Sequence, residues 1–217
     1  MRYYLDYNAS APMKEEVKNY IVKVLGQAGN PSSVHGTGRN SKKLLENSRK
    51  NISNLINCNS ENVIFTSGAT EANNLALNGY DKKIISSIEH ESIINQENTL
   101  PIKVNKQGYV DLNVLENVVK DQKNKNKLII SVMFANNETG IIQPIEKIKE
   151  ISDYYNIPFH SDGVQAIGRI KIDFLKLGID MLTVSSHKLG GPNGAGALIV
   201  SSKSKILKPL FLGGHQE

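Results

Sequence analysis

The residue best placed to do chemistry in this sequence is a lysine at the end of an apolar run. Lys188 stands in Ser185-Ser186-His187-Lys188-Leu189-Gly190-Gly191-Pro192, directly after Met181-Leu182-Thr183-Val184. A primary amine flanked by small hydroxyls and a histidine, and followed by glycines, suits a nucleophile that condenses with a carbonyl. A solvated loop lysine is the ordinary alternative. Four further apolar runs argue against it, because each also ends in polar residues. Val63-Ile64-Phe65 leads into Thr66-Ser67-Gly68-Ala69-Thr70-Glu71, and the run from Ile84 to Ile88 into Glu89-His90-Glu91. The run from Ile129 to Phe134 leads into Ala135-Asn136-Asn137-Glu138-Thr139-Gly140, and that from Ile157 to Ser161 into Asp162-Gly163-Val164-Gln165. Open parallel sheets bind ligands beyond the carboxyl ends of their strands, so five such endings describe one pocket.

Each ending can be given a role. Ser67-Gly68-Ala69-Thr70 opens a helix, where free backbone N–H groups and the dipole suit a phosphate. An N-cap and glycine turn would look the same. No Gly-Lys-Ser/Thr follows, so this is not a P-loop. Asp162 could keep a pyridinium nitrogen protonated and make its ring an electron sink. Gln165, three residues on, could donate to a phenolic oxygen. His90 could stack on a flat ring and move protons. Asn137 could reach ring or substrate, and Ser185 and His187 could complete the phosphate seat. Taken singly, Asp162, His90 and Asn137 read as a turn or cap aspartate, a structural histidine and a turn asparagine. Taken together, they fit pyridoxal 5′-phosphate, which has a phosphate, a pyridine nitrogen, a phenolic oxygen and an aldehyde. No G-x-G-x-x-G follows a strand to suggest a nicotinamide cofactor. His90, His160 and His187 lack metal-ligand spacing, and a single cysteine has no partner.

The elements that must hold these residues alternate short apolar runs with amphipathic stretches, the signature of α/β architecture. Strands are expected at 62–66, 83–88, 101–104, 128–134, 157–161, 181–184 and 194–200. The last is expected to be antiparallel, since its connection is too short for a crossover. Helices are expected at 12–27, 37–56, 71–78, 91–98, 111–119 and 144–155, with a helical turn at 173–177. In the first, Met13, Val17, Ile21, Val24 and Leu25 share one face; in the second, Leu44, Leu45, Ile52 and Leu55 point inward. Asp111 is the N-cap of the helix that follows it.

At 217 residues with a net charge of +5, the chain is long enough for one large core. Scattered lysines and the 120–127 run, which reads as a solvated loop, carry much of that charge. No basic stripe with interleaved aromatics marks a nucleic-acid surface. No apolar run is long enough to span a bilayer, and no signal-peptide core is present. One cysteine, Cys58, excludes an internal disulfide and points to a reducing, cytoplasmic setting.

The same segments carry a resemblance. Tyr4-Leu5-Asp6-Tyr7-Asn8-Ala9, Gly29-Asn30-Pro31-Ser32-Ser33-Val34-His35, Phe65-Thr66-Ser67-Gly68-Ala69-Thr70-Glu71-Ala72-Asn73-Asn74, Glu89-His90, Asn136-Asn137-Glu138-Thr139-Gly140, His160-Ser161-Asp162-Gly163-Val164-Gln165 and Ser186-His187-Lys188-Leu189-Gly190-Gly191-Pro192 are similar, in order and spacing, to the cysteine desulfurase branch of the class V aminotransferases. The resemblance implies a three-layer αβα, pyridoxal phosphate-dependent large domain with a mostly parallel seven-stranded sheet and one antiparallel strand. It implies that Lys188 bonds the cofactor and that His90 stacks on the ring and shares in catalysis. Asp162 then pairs with the pyridine nitrogen and Gln165 with the phenolic oxygen. Ala69, Thr70, Ser185 and His187 surround the phosphate, and Asn137 lies near ring and substrate. The implied reaction converts L-cysteine to L-alanine and leaves sulfur as a persulfide, for iron–sulfur clusters or tRNA thiolation.

The resemblance also implies a boundary. Residues 1–15 form an arm that packs on a small domain, 16–217 the cofactor-binding large domain, and the C-terminal small domain is absent. In the family, that domain carries the cysteine on a mobile loop, a substrate-carboxylate arginine, and follows a threonine segment that reaches a partner subunit. Cys58 sits at a helix end away from the strand-end pocket and is not expected to replace that cysteine. The partners implied are L-cysteine, a second copy or a complementing C-terminal fragment, and an iron–sulfur scaffold or other sulfur acceptor. Two alternatives stay open: a non-catalytic remnant that binds cofactor or partner, and a related lyase or aminotransferase such as a selenocysteine lyase.

Overall fold

The computed structural model describes residues 3–123, 125, 127–202 and 207–214. Asn124 and Asn126 of the expected solvated loop, and the ends of the chain at 1–2 and 215–217, lie outside these. Seven strands form one sheet: β1 (Val63–Thr66), β2 (Lys82–Ser86), β3 (Thr99–Ile102), β4 (Leu128–Ser131), β5 (Phe159–Asp162), β6 (Met181–Ser185) and β7 (Gly196–Val200). Their order is β1-β7-β6-β5-β4-β2-β3. β3, β2, β4, β5 and β6 pair in parallel, and β7 is antiparallel to both β6 and β1. Six strands therefore run the same way, and the carboxyl ends of β1, β2, β4, β5 and β6 share one edge.

The helices are α1 (Glu15–Leu25), α2 (Gly36–Ile56), α3 (Ala69–Leu77), α4 (Glu91–Ile94), α5 (Leu112–Lys120), α6 (Ile145–Tyr154) and α7 (Phe174–Leu177). Strand alternation separates two cores. Ile84, Ile130, Leu182 and Ile199 face one side, with Ile56 of α2, Leu115 and Val119 of α5, and Ile148 of α6. Their neighbours Ile85, Ile129, Met181 and Leu198 face the other, with Ala72, Ala76 and Leu77 of α3. A sheet covered on both faces needs continuous apolar strands, which is why these runs carry no polar alternation. The result is three layers, αβα.

Local chemistry sets the boundaries. The Asp111 carboxylate accepts from the Asn113 and Val114 N–H groups and starts α5, as expected. Asp173 caps α7 by accepting from Lys176 N. Several strands stop short of the apolar runs that announced them: β2 ends at Ser86 and β4 at Ser131, and the remaining apolar residues lead into the edge loops. α1 starts at Glu15 rather than at residue 12 and buries none of its residues. Met13, just before α1, and Leu25 at its end are exposed, and so is Leu55 of α2, which was expected to point inward. Periodicity shows that a helix has an apolar face; it does not show what covers it.

Candidate active site

The turn after β6 projects Lys188. Ser186 N donates to Ala195 O at 3.0 Å, and Leu189 N and Gly191 N return to Ser186 O at 2.9 and 3.1 Å. This turn lies at the edge where the other four strands end. A cleft of about 560 Å³ opens there, lined by Ala69, Thr70, His90, Asn137, Asp162, Gln165, His187 and Lys188. Eight of the nine expected site residues thus meet in one cavity. Ser185 is the exception. Its side chain is buried behind the cleft, and its hydroxyl meets His187 Nδ1 at 2.9 Å. Ser185 is the last residue of β6, and its hydroxyl reaches the cleft only through His187, which lines it.

Asp162 forms part of the floor. Its Oδ1 accepts from Val164 N at 3.0 Å and its Oδ2 from Asn73 Nδ2 at 2.9 Å. Burial pushes this carboxyl up from its ordinary range, while the Asn73 amide, the Val164 N–H and the charges of His90 and Lys188 pull it back. The second hydrogen of the Asn73 amide goes to Ser92 Oγ at 2.9 Å. Ser92 in turn meets His90 Nδ1 with its hydroxyl at 2.8 Å and its backbone N–H at 3.1 Å. A donor N–H on Nδ1 leaves the proton of the neutral ring on Nε2. Asn73 and Ser92 therefore link floor to wall, from carboxylate to imidazole. Neither carries a sequence signal of its own. Asn73 lies inside a helix, and only its spacing of four after Ala69 puts it on the face turned towards the sheet.

Burial and the Arg169 cation push the Lys188 ammonium below its ordinary pKa, with Asp162 and Asp6 opposing them. Burial and Lys188 lower His187 likewise. Lys188 Nζ donates to Asn8 O at 2.6 Å and to Ala9 O at 2.8 Å. The N-terminal arm thus lies across the cleft. Ala11 N donates to His187 O at 3.0 Å, Lys14 N to Gly190 O at 2.9 Å, and Asn8 Nδ2 to Asn137 O at 3.1 Å. Gly190 has φ +82°, and a Cβ there would meet Lys14 Cγ at 2.9 Å, so only glycine admits the arm this closely. Asp6, Asn8 and Ala9 line the cleft, a role that sequence reading missed, because backbone carbonyls are the same in every residue.

Two adjacent asparagines divide the loop after β4. Asn136 is buried and holds the loop: its Oδ1 accepts from Glu138 N and Thr139 N, and its Nδ2 donates to Ile88 O. Asn137 faces the cleft. Beneath lies Glu89, also buried, whose Oε1 accepts from the Ser86 hydroxyl and from Met133 N. Burial pushes its carboxyl up to about 8. His160 lies deeper still, between Ser131 Oγ at 2.9 Å and Thr183 Oγ1 at 3.0 Å. Burial lowers it to about 3, so it is a neutral tie between β4, β5 and β6.

The donor set fits pyridoxal 5′-phosphate. α3 begins at Ala69 with no side-chain cap, which leaves its first N–H groups available to a phosphate. Gly196 of β7 backs this turn: a Cβ there would lie 2.7 Å from Gly68 Cα. His187 and Lys188 face the same cavity, and its volume falls within the roughly 300–1,000 Å³ usual for small-molecule sites. Cys58 is not among the lining residues, and burial raises its thiol to about 11.

Comparison with known proteins agrees with this geometry. The aminotransferase class-V family model matches residues 3–217. The chain is 38% identical to a cysteine desulfurase IscS of Dictyoglomus turgidum and 40% identical to cysteine desulfurase IscS 1 of Archaeoglobus fulgidus, in each case over 99% of its own length. It spans 57% and 59% of those two proteins. A NifS-like protein from Rickettsia africae superposes with a TM-score of 0.92 at 40% identity, over 97% of this chain and 61% of that one. SspA in complex with cysteine superposes at 0.89 with 30% identity, over 98% and 65%. The family match supports pyridoxal 5′-phosphate as the cofactor of this site. From the match along almost its whole length, the chain belongs to the class-V aminotransferase family, among relatives named as cysteine desulfurases.

Proposed function

We propose that this chain is the cofactor-binding part of a cysteine desulfurase acting on L-cysteine. The observation that carries the reading is the meeting of Lys188, Asp162, Gln165 and His90 in one cleft at the shared carboxyl edge of the strands. When bound, pyridoxal 5′-phosphate supplies an aldehyde for an amine and a ring that draws electrons from the carbon of an amino acid. Lys188 is the amine, and its depressed pKa leaves more of it unprotonated near neutral pH. Asp162 holds a positive ring nitrogen, and Asn73 and Val164 keep its two oxygens in place. His90, with its Nδ1 held by Ser92, would stack on the ring and move protons. Ala69, Thr70 and His187 hold the phosphate, Ser185 orients His187, and Gln165 donates to the ring oxygen.

Sulfur would pass to an acceptor other than Cys58, which has a desolvated thiol outside the cleft. The same observation favours a second reading, in which this chain binds cofactor and cysteine without turnover unless a second copy, or another chain bearing a cysteine, completes it. A reducing, cytoplasmic setting belongs to the proposal, with a sulfur-acceptor protein as partner. Among the described residues, no helix is long and apolar enough to cross a membrane.

The test is spectroscopic. Titrating pyridoxal 5′-phosphate into the chain should produce a visible absorbance band that Lys188→Ala abolishes. A band of equal strength in the variant would sink the site assignment. Alanine formed from L-cysteine by the purified chain alone would exclude the second reading.

A further inference from the structure

Gln165 matters only if its amide faces the right way, and its two ends are nearly the same shape. Arg169, four residues on, settles the choice. Its guanidinium donates to Gln165 Oε1 and, at 3.1 Å, to the Gln165 backbone carbonyl. Arginine has no acceptor, so the amide atom it meets must be the oxygen. The NH₂ end is then forced towards the cleft, where Nε2 donates to Asn8 O at 3.0 Å. That carbonyl also receives Lys188 Nζ at 2.6 Å. A flipped amide would set its oxygen against the Asn8 carbonyl and its NH₂ against a cation, losing both bonds. The turn that brings the pair together is closed by Ala166 N and Ile167 N on Gly163 O, and by Arg169 N on Ala166 O.

We propose that Arg169 is a positioning residue for the cofactor site: it pins the Gln165 amide so that its donor end faces the Lys188 side of the cleft. This rests on the reading of the cleft as a pyridoxal phosphate site. Arg169 also stands close enough to Lys188 to disfavour the ammonium, so one side chain both orients the ring-oxygen donor and helps to free the amine.

The test uses the full chain and pyridoxal 5′-phosphate, with wild type, Arg169→Met, Arg169→Lys, Gln165→Ala, the Arg169→Met/Gln165→Ala double variant and Lys188→Ala. Arg169 is exposed, so its removal leaves the core intact. Arg169→Met should weaken cofactor binding roughly three- to tenfold, the worth of one lost hydrogen bond. It should also move the pH midpoint of the Lys188-dependent band upward. Arg169→Lys, which keeps the charge and a donor, should restore the midpoint. Gln165→Ala should cost much less in the Arg169→Met background than in wild type, because the two act as one unit. Wild-type affinity and midpoint in Arg169→Met, or fully additive losses, would overturn the proposal while leaving the cleft assignment standing. No Lys188-dependent band in wild type would overturn both.

Discussion

Glu89→Gln isolates the strangest charge in the molecule. The Glu89 carboxyl is buried under the cleft, with one oxygen held by Ser86 and Met133 and the other, Oε2, without a hydrogen-bond partner among the described residues. Burial raises it from an ordinary 4.5 to about 8, and the neighbouring Asp162 charge adds to the rise. Between those values the folded chain keeps a proton that the unfolded chain has released. Stability must therefore fall as pH rises through this interval, by about 1.4 kcal/mol per pH unit. His160 has the opposite sign: it stays neutral in the fold down to about 3, against an ordinary 6.5, so its contribution rises with pH up to 6.5. The two slopes oppose each other below pH 6.5 and leave Glu89 the stronger above it. Glutamine is neutral at every pH and its Oε1 can accept from the same two donors. Any packing penalty of Glu89→Gln is then a constant offset, and titrating groups not coupled to Glu89 cancel between variant and wild type. Urea unfolding at fixed pH values measures the difference. The variant should gain on wild type by about 2 kcal/mol between pH 6.5 and 8, and by on the order of 5 kcal/mol across the whole interval from 4.5. A stability gap that does not change with pH would show that Glu89 titrates in the fold as it does in water, and the account of the buried polar layer would be wrong.

Three further outcomes are expected. Asn73→Ala leaves Asp162 Oδ2 and Ser92 Oγ without their shared donor and should cost about 1–3 kcal/mol in unfolding free energy, with weaker cofactor binding; an unchanged affinity would remove Asn73 from the site. Cys58, with its thiol at about 11, should be about 0.1% thiolate at pH 8, so iodoacetamide should label it far more slowly in the native chain than in urea. Gly196→Ala sets a methyl 2.7 Å from Gly68 Cα and 2.9 Å from Val184 O, both backbone atoms that cannot swing aside. It should lower stability by about 1–3 kcal/mol and loosen the α3 turn, seen as a higher Kd for the cofactor.

Much of this was legible in the residues themselves. Apolar runs announced seven strands because a sheet buried on both faces tolerates little else, and the short link before β7 required its reversal. Five of the apolar runs ended in polar groups, and a parallel sheet has to bring such ends to one edge; Lys188, Asp162, Gln165 and His90 were found in this way. Apolar faces on α1 and α2 were legible too, but not their surroundings, so Leu55 was placed inward and is exposed.

What tertiary structure alone decided are the contacts between chain segments with no common pattern. Lys188 is bound by Asn8 and Ala9 carbonyls about 180 residues away, Asp162 by an asparagine 89 residues before it, and Glu89 by a backbone N–H across two strands. A side chain's type states what it can donate or accept, and short spacings state which face it shares. Distance in space, and the burial that turns a carboxyl at 4.5 into one at 8, exist only after the chain has closed around them.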